Sequence, residues 1–67
     1  MAPYQERVIQ EKEELADRLT KLEAFRETDS FQHLSPAERC RLDRQRFAMQ
    51  EYNHVLGERI TAFSETS

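Results

Sequence analysis

The chain has 67 residues, 34% of them charged, and a net charge of −3, so it has room for one domain and little room for a core; chains of this size bury only about 60% of their unfolded surface. A single cysteine, Cys40, excludes an internal disulfide, and with His33 and His54 it lacks the close ligand pairs of a zinc site, so no metal and no cofactor is expected. The acidic balance speaks against duplex nucleic acid as a partner, no apolar run is long enough for a membrane span, no signal peptide is evident, and one glycine excludes a glycine-rich phosphate loop.

A first helix is predicted over about residues 3–27. Pro3 suits a first helical position, where its missing N–H is no loss. Tyr4, Val8, Leu15, Leu19, Leu22 and Phe25 are spaced by 4, 7, 4, 3 and 3 residues, the periodicity of one helix face. Glu14–Arg18 and Asp17–Lys21 lie four apart and support the helix by roughly 0.2–0.5 kcal/mol each. Thr28, Asp29 and Ser30 are short polar residues that compete for helical hydrogen bonds and break the helix. The connection, 28–35, is expected to fold as a short turn with Phe31 and Leu34 packed down.

Ser35-Pro36-Ala37-Glu38 then reads as a capping box with proline at its first helical position, and Leu34 as the residue of a hydrophobic staple. A second helix is predicted over 36–63, with a stripe of Leu42, Met49, Tyr52, Leu56, Ile60 and Phe63. Gly57 interrupts it and lowers helix stability by about 1 kcal/mol relative to alanine; it either admits close helix approach or only weakens the last turns. Residues 64–67 are expected to fray. Two helices of similar length joined by a short polar connection make an all-α antiparallel hairpin, a single domain over 1–67. Ile9, Phe47 and Cys40 do not fit its single seam, and Val55 lies to one side; Ile9, Phe47 and Cys40 are read as surfaces for other copies of the chain. Oligomerisation is then the means by which so small a unit is stabilised.

Nothing in the residues points to catalysis. Cys40, Asp43, His33 and His54 form no local arrangement of nucleophile, base and orienting group, so no catalytic residue is assigned. Arg39, Arg41, Arg44 and Arg46 fall within eight residues, and Arg26 ends the first helix. They read either as salt-bridge partners of the acidic first helix or as an anion site, since the guanidinium fork binds two phosphate oxygens. Tyr4 with Arg7 at one end of the first helix, and Phe25, Arg26, Thr28 and Ser30 at the other, could stack a base and hold phosphate. They equally well just end the apolar stripe. The two groups stand about 30 Å apart along one helix at 1.5 Å per residue, so an antiparallel pair of chains would be needed to unite them.

Tyr4-Gln5-Glu6-Arg7-Val8-Ile9, Glu11-Lys12, Glu14-Leu15, Lys21-Leu22 and Phe25, followed by Glu38, Arg39, Leu42, Gln45, Met49, Tyr52, Val55-Leu56 and Arg59-Ile60, belong to a pattern that spans Tyr4 to Phe63, nearly the whole chain. In order and spacing this pattern resembles the small phage anti-CBASS proteins that sequester cyclic oligonucleotides. The resemblance implies a compact helical homo-hexamer without catalytic activity, working in the cytoplasm of the infected bacterial host. It implies binding of cyclic di- and trinucleotides, such as cyclic GMP–AMP and cyclic triadenylate, in two kinds of pocket between protomers. The candidates it suggests for the dinucleotide pocket are Tyr4, Lys21, Phe25, Arg26 and Thr28, with Arg7 and Lys12 as weaker ones. For the second pocket they are Arg39, Arg41, Arg44 and Arg46. The other reading of the residues is a structural or adaptor helical module that binds another protein.

Overall fold

The computed structural model describes residues 1–65, with side chains through Ser64. Helix α1 runs Pro3–Arg26, a single turn α2 runs Asp29–Gln32, and α3 runs Pro36–Glu65. Pro3 occupies the start of α1, and the Gln5 side chain accepts a hydrogen bond from the Ala2 N–H at 2.9 Å. Gln5 thus satisfies a backbone donor just outside the helix, although Ala2 has no side-chain oxygen to return the bond.

The connection is more ordered than a plain turn. Thr28 breaks α1 and also caps α2: its Oγ1 donates to the Phe25 carbonyl at 2.6 Å and accepts from the Phe31 N–H at 3.3 Å. That places Phe31 in the interior, 6% exposed, with its ring edge-on to Phe25 at 6.0 Å. At the start of α3, Ser35 Oγ accepts from the Glu38 N–H at 3.1 Å, as the cap requires. The Glu38 carboxylate, however, takes Arg41 Nε at 2.8 Å. Helix α3 continues two residues beyond its expected end at 63; of the segment expected to fray, Thr66 and Ser67 lie outside the described residues.

α1 and α3 pack antiparallel in a rod of 49 × 15 × 14 Å. The register is fixed by cross-helix contacts: the Tyr4 and Phe63 rings meet edge-to-face at 5.7 Å, Lys12 Nζ donates to Asn53 Oδ1 at 3.3 Å, Gln50 Nε2 donates to Glu23 Oε2 at 3.3 Å, and Arg26 Nε meets Asp43 Oδ1. Val8, Leu15 and Leu56 form the core, with Met49, Ile60 and Phe63 against it.

The seam corrects the expected stripe of the second helix. Tyr52 is 45% exposed and lies off the seam. Its place is taken by the half-buried Asn53, one residue or about 100° further round. On α3 the seam follows Leu42, Arg46, Met49, Asn53, Leu56, Ile60 and Phe63, alternating steps of four and three. Phe47 is 60% exposed and Cys40 is exposed, as expected of off-seam positions, whereas Ile9 is half-buried against its own chain.

Candidate functional site

The hairpin places its aromatic and cationic side chains at three locations. At the turn end, the short cap of α2 drives Phe31 under the end of α1. The guanidinium carbon of Arg26 then sits 5.7 Å from the Phe31 ring centroid, while its Nε engages Asp43 on α3. Arg46 reaches the same Asp43 oxygen at 3.9 Å, and its guanidinium carbon lies 4.7 Å over the Phe47 ring. One carboxylate therefore serves two arginines. The Arg46 side chain is only 17% exposed, and Nε of both Arg46 and Arg39 is buried with no hydrogen-bond partner. Arg39 is steadied through Nη1 by Gln32 Oε1 at 3.3 Å.

The four arginines of α3 do not form one cluster within the chain. Arg39 and Arg46, seven residues apart, are both half-buried, whereas Arg41 and Arg44 are exposed and Arg41 is tied to Glu38. Their gaps of two, three and two residues divide them between two faces, Arg39 with Arg46 seven apart and Arg41 with Arg44 three apart, since neighbours on one face stand three, four or seven apart. Among the dinucleotide candidates, Phe25, Arg26 and Thr28 do come together at the turn, but the Thr28 hydroxyl is engaged in capping. Lys21 lies one turn back, exposed and paired with Asp17 at 2.9 Å.

At the opposite end stand Tyr4, 51% exposed with one ring edge on Phe63, and the exposed Arg7. No single chain joins this group to the turn end, because the length of α1 separates them.

Midway lies a third location. Lys12, Asn53, His54, Gly57, Glu58 and Thr61 line an open groove of about 590 Å³. His54 Nε2 and Glu58 Oε1 stand 2.9 Å apart in it. Of these residues only Lys12 is a ligand candidate from sequence, and a weaker one; Gly57 is marked there for its effect on the helix, and His54 is set aside as a metal ligand or catalytic group. The signal that could have found the groove is the step of four and three itself, which puts Lys12 and Asn53 on the seam where hydrophobic residues belong.

Fold and surfaces together define a small all-α hairpin that presents stacking rings, cations and a polar groove on an open surface. The chain matches the Sequestin family model over residues 2–62, a span that includes α1, α2 and most of α3. It belongs to that family, the anti-CBASS sponges. No curated protein and no solved structure matches it.

Proposed function

We propose that this protein binds and sequesters cyclic oligonucleotide second messengers, cyclic GMP–AMP and related dinucleotides and cyclic triadenylate, without degrading them. The observation that carries this reading is the family match over residues 2–62. Aromatic rings stack the bases and cations hold the phosphates. No bond is made or broken, so the protein acts by stoichiometry. Removal of the messenger keeps the CBASS effector inactive in the cytoplasm of the infected bacterial host.

The geometry favours an assembly, a homo-hexamer on the family's pattern. The Tyr4–Arg7 group and the Phe25–Arg26–Thr28 group lie at opposite ends of one hairpin, so a pocket that uses both takes them from different chains. The exposed Phe47 and Val55 then serve as contacts between copies.

The test is a depletion and release assay. Mixing the protein with cyclic GMP–AMP should lower the free ligand, and heating should return it unchanged in chromatographic mobility. A cleaved nucleotide would replace the sponge with an enzyme. No depletion of either cyclic GMP–AMP or cyclic triadenylate, together with no thermal shift at saturating ligand, would favour the adaptor module instead.

A further inference from the structure

Hydrophobic residues recur along the α1–α3 seam at steps of four and three. Among the polar positions of that repeat, which also include Arg46, Lys12 and Asn53 face each other: Lys12 Nζ donates to Asn53 Oδ1 at 3.3 Å. A polar pair in such a seam weakens helix pairing. Beside it sits Gly57, which weakens a helix interior relative to alanine. A Cβ on residue 57 would stand 3.3 Å from Lys12 Cε, tighter than ordinary van der Waals contact. Glycine therefore leaves the space in which the lysine stem lies against α3. Three residues that each work against the hairpin meet at one place and line the same groove of about 590 Å³. Small-molecule sites have volumes of roughly 300–1,000 Å³. Local departures from good folding practice gathered at one spot are the mark of a functional site.

The lining narrows the ligand. Lys12 is half-buried and forms no ion pair among the described residues. Its one hydrogen-bond partner is a neutral amide. A partly desolvated ammonium in that setting favours an incoming anion. The groove's carboxylate, Glu58, is paired with His54. Asparagine amides and carboxylates are among the side chains that meet the hydrogen-bonding edges of bases, and Thr61 adds a hydroxyl. Inorganic phosphate would use the lysine and leave the amide and carboxylate idle. We propose that the groove over Gly57 is a nucleotide subsite in which Lys12 takes a phosphate oxygen and Asn53 and Glu58 meet the base edge. This rests on the sequestering reading and gives that reading a location separate from both ends of the hairpin.

The experiment is a titration of ¹⁵N-labelled protein with cyclic GMP–AMP and, separately, with cyclic triadenylate. The backbone amides of Lys12, Asn53, Gly57 and Thr61 should shift with at least one of them. Lys12→Gln should weaken that ligand at least tenfold. Gly57→Ala should melt at the same or a higher temperature and yet bind at least threefold more weakly, because the new methyl displaces the lysine stem. A merely structural role for Gly57 would not separate melting from binding in this way. Shifts confined to residues 4–7 and 25–28 would leave sequestration standing and overturn the groove. Groove amides that shift while both variants bind like the wild type would also overturn it. No shift with either ligand would overturn both readings.

Discussion

Arg26 shows how one side chain can be prepared for an anion before any anion arrives. Phe31 supports one face of its guanidinium, and Asp43 fixes Nε, so its terminal Nη donors are presented from a held position. An arginine held in this way gives up less freedom on binding phosphate than a loose one. We therefore expect Arg26→Ala to weaken cyclic GMP–AMP binding at least tenfold by calorimetry, with the elution volume unchanged. Asp43→Asn should give a smaller loss, since the cation stays and only its anchor goes. Wild-type affinity in Arg26→Ala would remove the turn end from the site. Arg26 was a candidate from sequence, but Asp43 was not, because its partner lies 17 residues away across the hairpin. Stability at the same scale rests most on Leu56, which is fully buried. Leu56→Ala should cost about 2–5 kcal/mol, read as a lower urea midpoint by circular dichroism.

At the scale of elements, the sequence was most legible where the signal was local. Ser35-Pro36-Ala37-Glu38 placed the start of α3 correctly because a cap is made by residues three apart. Ser35→Ala should accordingly cost about 1 kcal/mol. A urea midpoint that does not move would show that Pro36 and the packing of Leu34 hold the helix start unaided. The polar run after α1 reads as a break, and it is one. That Thr28 also caps α2 is not legible in the sequence, because the same residue types mark breaks and caps alike. The α3 stripe holds at Leu42, Met49, Leu56, Ile60 and Phe63 and fails at Tyr52 for a different reason. Hydrophobicity alone selects Tyr52, but the register set by Leu56, Ile60 and Phe63 runs through Asn53. A ring fits a hydrophobic stripe and a polar amide does not, so Asn53 carries no signal in the stripe and the groove stays hidden. The site was legible as residue types and illegible as places, since Lys12–Asn53 and Arg26–Asp43 depend on how two helices slide against each other.

The whole molecule is a rod 49 Å long and about 15 Å thick. Among the described residues only Val8, Leu15, Phe31 and Leu56 are buried hydrophobic side chains. Four buried side chains are few for a seam of this length, particularly one that carries Lys12, Asn53 and Gly57. Phe47, Tyr52 and Val55 meanwhile remain exposed on α3. Covering them with other copies of the chain would supply the missing burial, and stability would then depend on concentration by mass action. The melting temperature should therefore rise by several degrees over a hundredfold increase in protein concentration. Phe47→Glu should lower the mass measured by light scattering and flatten that dependence. Saturating cyclic GMP–AMP should shift the equilibrium the other way and restore both mass and melting temperature toward wild type, if its pockets form only between chains. A melting temperature independent of concentration, with a monomeric mass, would mean that the hairpin stands alone and that its binding surfaces are complete within one chain.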